Sequence, residues 1–287
     1  MSIDTIMNSV SANAATTKDA KPSRVPTLRI GIFGAGKLAN AIVEEVKAVN
    51  TARAADAAKT VSADEGNTEC GPRFSIEWMV DSGDAIPEAP VDVAIDASVA
   101  GAVEAHLSWA IEHEVPFLIA TTGWEIPDLA SRVGDRTAVL VSPNFSFAVA
   151  FMRKIASQLA RFADWYGEGD IGIYEHHHNA KLDAPSGTAK VLAKAVIAGS
   201  KRYSDWNQSG KEPWVHDKVP IASLRAGSEA GMHEIVFDAP HEQMEVVHRA
   251  RDRRVFAAGA LKAAAWIVGR KGLFGMDDVL ASLFDEG

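Results

Sequence analysis

Leu28 to Phe33 reads LRIGIF and runs directly into Gly34-Ala35-Gly36-Lys37-Leu38-Ala39. Apolar residues then recur at helical spacing, at Leu38, Ile42, Val46 and Val49. A buried-type strand, a glycine turn and a helix in this order open a layered α/β sheet. No other feature constrains the fold as much. Gly34 permits the tight turn and Gly36 lets the backbone approach a pyrophosphate. The small Ala39 lets helix and strand pack closely, and the helix N-terminus offers its N–H groups to an anion. The G-x-G-x-x-G/A pattern is short, and a tight βα turn with no ligand has the same residues.

The alternation continues downstream. Phe74 to Val80 is a strand with Asp81 at its end, and Val91 to Ala97 is another. Residues 99–113 have a helical pattern. Val115 to Ala120 is a strand running into Thr121-Thr122-Gly123, and Thr137 to Val141 runs into Ser142-Pro143-Asn144-Phe145. Strands alternating with helices predict a parallel, doubly wound, Rossmann-like sheet. The pattern then changes to a helix over 147–163, a strand over Asp170 to Tyr174 and a helix over Thr188 to Ala198. Consecutive strand-like runs follow at 219–225, 232–238 and 243–249, which predicts a mostly antiparallel or mixed sheet in an α+β domain. Helices at 256–269 and 276–284 close the chain. The expected division is a flexible tail over 1–27, a dinucleotide-binding domain over 28–148 and 259–287, and a second domain over 149–258. Residues 50–72 read as a frayed helix end and a surface loop.

Composition narrows the function. The net charge of −9 disfavours nucleic acid as a partner, because phosphate contacts need clustered Lys and Arg. No apolar run approaches the roughly 18 residues of a membrane span, so no membrane role is expected. The single cysteine, Cys70, fits a reducing compartment, and the tail lacks the apolar core of a secretory signal. The expected location is the cytoplasm. Asp81 stands where an acid takes the adenosine ribose hydroxyls, and its charge repels a 2′-phosphate. That favours NADH, with NADPH as the alternative; the other reading is a solvated loop aspartate.

Residues 174–190, YEHHHNAKLDAPSGTAK, pose the sharper question. Adjacent histidines on a strand alternate faces, so His176 and His178 point one way and His177 the other. Two of them could chelate a metal, but no cysteine or second histidine pair supplies the remaining ligands, and none is expected. A polar strand end followed by a helix cap accounts for Ser186 and Thr188. It does not account for three histidines and a lysine just upstream. A catalytic reading does. The helix start at Ser186-Gly187-Thr188 is an anion site suited to a carboxylate, Lys181 adds a positive charge, and a histidine of near-neutral pKa can hand over a proton.

The stretch Glu175 to Ala189 closely resembles the E-x-H-H-x-x-K-x-D-A-P-S-G-T-A motif of the dihydrodipicolinate reductase family. The resemblance extends over about residues 28–270. It includes the glycine turn, Ala120-Thr121-Thr122-Gly123, Pro143-Asn144-Phe145-Ser146, Leu224-Arg225-Ala226-Gly227, Gly231-Met232-His233 and Phe256-Ala257-x-Gly259-Ala260. It implies reduction of 4-hydroxy-tetrahydrodipicolinate, a dicarboxylate, by a nicotinamide hydride in diaminopimelate and lysine biosynthesis. It further implies that His177 is the proton donor and that His178 binds substrate. Lys181 would bind a substrate carboxylate and assist protonation, while Ser186, Gly187 and Thr188 hold a carboxylate. Gly34, Ala35, Gly36, Lys37, Leu38, Asp81, Ala120, Thr121, Thr122, Ser142, Pro143, Asn144 and Phe145 would line the nucleotide. Family members are usually homotetramers joined through the second-domain sheet. The chain departs from the family in its shorter phosphate turn with Lys37 for arginine, in Ala97 and Ala100 for an aromatic and a proline, and in Ala120 for glycine. A related amine or amino-acid dehydrogenase and a non-enzymatic nucleotide-binding module are the alternatives.

Overall fold

The computed structural model describes residues 27–60, 71–211, 213 and 215–284. The expected tail lies outside these residues apart from Thr27, as do residues 61–70. The chain divides into two compact units. One holds the residues up to Phe145 and those from Phe256 on; the other is Ser146–Val255.

The chain enters the first unit through β1 (Thr27–Phe33) and α1 (Lys37–Thr60), then β2 (Arg73–Val80) and β3 (Val93–Asp96). A 3-10 turn at Ala100–Ala102 leads into α2 (Val103–Glu112), followed by β4 (Phe117–Ile119), α3 (Leu129–Val133) and β5 (Ala138–Val141). The second unit has α4 (Phe147–Tyr166), β6 (Asp170–His177), α5 (Gly187–Gly199), β7 (Asp205–Gln208), β8 (Lys218–Arg225), β9 (Met232–Ala239) and β10 (Glu242–Arg249). The last elements are α6 (Arg254–Ile267), β11 (Gly272–Phe274) and α7 (Met276–Phe284). No helix among the described residues is long and apolar enough to cross a membrane.

The first sheet has the order β11-β5-β4-β3-β1-β2, and every pairing is parallel. β3, β4 and β5 are buried along their whole length, as strands with helices on both faces must be. The succession of strands runs outward from β1 to β2 and then outward the other way from β3, which makes the carboxyl edge between β1 and β3 the expected ligand crevice. Helix α1 continues to Thr60 instead of fraying near residue 50. The segment TARAADAAKT is alanine-rich, so propensity sustains the helix where no amphipathic period shows. α3, β7 and β11 were not foreseen; runs of three to five residues are too short to display a period.

One contact closes this unit. A Cβ on Gly259 of α6 would stand 1.8 Å from the Phe145 carbonyl oxygen. Alanine is better than glycine in a helix by roughly 1 kcal/mol, yet here main chain blocks it. Gly259→Ala is expected to cost a net ~1–3 kcal/mol through overpacking, read as a fall in Tm. An unchanged or raised Tm would show that the helix can back away.

The second sheet is mixed, with the order β10-β9-β6-β8-β7. β6 lies between β8 and β9, antiparallel to β9 and parallel to β8. Of the three consecutive runs, β9 and β10 pair directly and antiparallel, while β8 is separated from β9 by the strand that carries the histidines. Ile171 and Ile173 of β6 join Val219, Ile221, Ile235 and Phe237 in a core beneath α4 and α5. That same buried face continues to Glu175 and His177.

Candidate active site

Alternation along β6 decides which histidine goes where. Ile171, Ile173, Glu175 and His177 are buried, while Tyr174 and His176 are half-buried on the other face. β6 ends at His177. The His178 N–H donates to the Glu229 carbonyl at 2.8 Å, so His178 is already in the loop. A ring nitrogen of His176 lies 2.9 Å from the Ala226 carbonyl oxygen.

Glu175 has no exposed surface. Its Oε1 accepts from the Ser186 N–H at 3.0 Å, the Ser223 hydroxyl at 2.7 Å and Arg225 Nη2 at 2.7 Å. One carboxylate oxygen thus ties β6 to β8 and to the start of α5. Arg225 also donates to the Asp183 carbonyl at 2.5 Å, which fixes the loop carrying Lys181. Ser186 caps α5, its Oγ accepting from the Ala189 N–H at 3.1 Å.

The second oxygen, Oε2, lies 3.4 Å from His177 Nε2 and 3.6 Å from His233 Nε2. The two ring nitrogens are 3.3 Å apart, and Ser186 Oγ is 3.1 Å from His233 Nε2. The His177 ring rests against the backbone of Gly231. Lys181 Nζ pairs with Asp183 at 2.6 Å. Gly187 is exposed and Thr188 half-buried in the first turn of α5.

Burial alone would raise the Glu175 carboxyl, but His233, Ser186, Arg225 and Ser223 together outweigh it and hold the group well below the usual carboxylate range. Burial pushes the His177 imidazole down to about 4, and His233 adds to this against the opposing pull of Glu175. A near-neutral value was expected from sequence. The difference arises because His177 is buried and faces a second histidine.

In the first unit, the residues expected at a nucleotide follow the carboxyl ends of β1, β2, β4 and β5. Gly34 has φ +102°, and a Cβ there would stand 2.5 Å from the Ala97 carbonyl oxygen, so only glycine makes this turn. Ala35, Gly36 and Lys37 are exposed at the start of α1, with Leu38 half-buried and Ala39 buried. Asp81 is exposed at the end of β2, its Oδ1 accepting the Ser82 N–H at 2.8 Å. Ala120 is half-buried, Thr122 and Pro143 are exposed, and Ser142 Oγ donates to the Asn144 carbonyl at 2.7 Å. An open glycine turn at a helix start, with an acid beyond the next strand, suits a dinucleotide. Thr121 and Phe145 are different. The Thr121 hydroxyl donates to Asp96 and the Phe145 ring is core, so neither side chain is left to face a ligand.

Four groups in these two regions escaped the sequence reading. Glu175 and Arg225 were quoted only as motif letters. His233 lies 56 residues from His177, and only the β6–β9 register brings it opposite Glu175. With Glu175 it supplies the two metal-type ligands that the sequence lacked beside the histidine run. Asp96 is fully buried at the end of β3. It accepts from the Ser98 hydroxyl at 2.9 Å and from Thr121, and contacts His106 Nδ1 at 2.6 Å. A lone acid ending an otherwise apolar strand was the available signal.

A parallel sheet of this order, opened by such a turn, and a second unit with a buried histidine–carboxylate cluster define a two-domain oxidoreductase. The chain belongs to the dihydrodipicolinate reductase family: the model of that family's N-terminus matches residues 28–145 and that of its C-terminus residues 148–280. The 4-hydroxy-tetrahydrodipicolinate reductase of Rhodopseudomonas palustris (strain TIE-1) is 39% identical over 200 residues, covering 67% of this chain and 73% of that protein. The protein of the same name from Psychrobacter arcticus is 31% identical over 268 residues, covering 88% and 95%. A solved structure of a dipicolinate-bound dihydrodipicolinate reductase from Paenisporosarcina sp. TG-14 has the same fold, with a TM-score of 0.64 at 21% identity, over 87% of this chain and 97% of that one.

Proposed function

We propose that the chain reduces 4-hydroxy-tetrahydrodipicolinate to tetrahydrodipicolinate with loss of water, in diaminopimelate and lysine biosynthesis. Both halves of the reductase family match, and His177 sits buried at a strand end beside a capped helix start. That combination carries the reading. A nicotinamide nucleotide held at the glycine turn would supply the hydride. His177 delivers a proton to the carbon beside the hydride acceptor, and Glu175 and His233 hold its ring in place. Lys181 and the first turn of α5, Ser186 to Thr188, receive the substrate carboxylates, and His178 adds a contact from the loop. The turn Gly34 to Leu38, with Ala120, Thr122 and Ser142 to Asn144, takes the nucleotide. Asp81 favours NADH by repelling a 2′-phosphate. A synthase-linked assay that follows NADH and NADPH separately tests both reaction and cofactor. Consumption of neither would sink the reading, and a preference for NADPH would remove the role of Asp81.

The face of the second sheet opposite its helices carries exposed Leu224 and Val247, which supports assembly into a homotetramer there. Sedimentation equilibrium measures that state. The single cysteine supports a cytoplasmic location.

Lys181→Ala is expected to raise the substrate KM, lower kcat, and reduce kcat/KM about ten- to hundredfold, the value of one hydrogen bond to a charged group. The pair with Asp183 is partly exposed, so stability should change by less than ~1 kcal/mol. Full activity in this variant would remove Lys181 from the site.

A further inference from the structure

We infer that the resting proton-donor site is also a trap for a tetrahedral divalent cation of the zinc type, held by Glu175 Oε2, His177 Nε2 and His233 Nε2. The inference rests on His177 being the donor in the proposed reaction. A cation there ties up the nitrogen that must carry the proton and stops turnover.

The argument is geometric. Zinc binds imidazole nitrogen and carboxylate oxygen at about 2.0–2.1 Å, so any two ligand atoms of a tetrahedron stand about 3.3–3.4 Å apart. The three separations here are 3.3, 3.4 and 3.6 Å. One triangular face of the coordination shell is already in place without moving backbone. Glu175 Oε2 is an independent observation. Its residue is fully buried, and the atom, one corner of the triangle, has no hydrogen-bond partner. An unpaired buried carboxylate oxygen is costly, and a cation would satisfy it. Ser186 Oγ accepts from the Ala189 N–H and lies 3.1 Å from His233 Nε2. A cation takes the single in-plane lone pair of that nitrogen and displaces this contact. His177 keeps a small exposed edge, by which an ion can reach the triangle and a water can complete the tetrahedron.

Arg225 works against the site, since its positive charge lies on the same carboxylate. It binds Oε1, however, and leaves Oε2 free. Half-saturation is therefore expected in the micromolar range, weaker than in a structural zinc site.

The test is a cobalt(II) titration of the full chain after chelation. One ion per chain should produce the intense visible absorption of four-coordinate cobalt. Zinc should bleach that band, and turnover should fall in proportion to zinc occupancy. His233→Gln and His177→Gln should each lose the band, while Cys70→Ser keeps it. No band, or a band that persists in both histidine variants, overturns the metal site and leaves the reductase reading intact. A band lost in His177→Gln while that variant turns over normally overturns the donor assignment, and with it the blockade.

Discussion

Replacing His177 with glutamine is expected to cut turnover by about 10²–10⁴-fold, the usual loss with a general acid, while nicotinamide binding stays near normal. Glutamine fills the same space and still hydrogen-bonds, but it cannot carry the proton. The pH behaviour should be specific. Burial beside His233 holds His177 at about 4 in the empty protein, so the ring is neutral there at pH 7. A dicarboxylate brings negative charge and favours the imidazolium. The alkaline fall in kcat, which reports the complex, should therefore lie at higher pH than the fall in kcat/KM, which reports the free protein. Stability carries a related signature. The folded pKa lies below the roughly 6.5 of an unfolded histidine, so the unfolded chain binds more protons in that window. Stability then rises with pH between about 4 and roughly 6.5, and His177→Gln should flatten the rise. Unchanged turnover would remove His177 from the chemistry; coincident limbs would remove the charge argument.

Glu175→Ala should have the largest effect on the fold, about 3–5 kcal/mol, because it removes the buried member of an ion pair and strands the half-buried Arg225. Arg225 loses its carboxylate, and the Ser223 hydroxyl and the Ser186 N–H lose their acceptor. Glu175→Gln keeps an acceptor and should cost less. The sign with pH is fixed by the lowered folded pKa of Glu175. Its contribution is present above the unfolded value of roughly 4.3 and disappears as the solution is made more acidic. Urea unfolding at pH 7 and in acid measures both. A variant as stable as the parent at pH 7 would show that water replaces the carboxylate.

Much of this architecture was legible because the signals are local. Periodicity marked the long helices, and short, mostly apolar runs marked β3, β4 and β5. The sequence also predicted that His177 would face away from His176, since pleating alone decides it. What was not legible depends on register. Nothing in the segment around His233 announces that it will stand across from Glu175, nor that β6 will separate β8 from β9. The depressed His177 value follows from the same pairing, and so was out of reach. β7 and β11 escaped for a different reason, being too short to carry a period.

The late return of the chain to its first sheet has a consequence for synthesis on the ribosome. β5 gains its outer neighbour only from β11, and the Phe145 carbonyl meets its partner only at Gly259. Both follow the whole second unit in sequence. The nascent first unit must wait with an open strand edge until the C-terminal residues emerge, a state prone to pairing with other chains. Loss of the last segment would leave that edge open for good, so a chain truncated at Val255 should aggregate even though the second unit is complete.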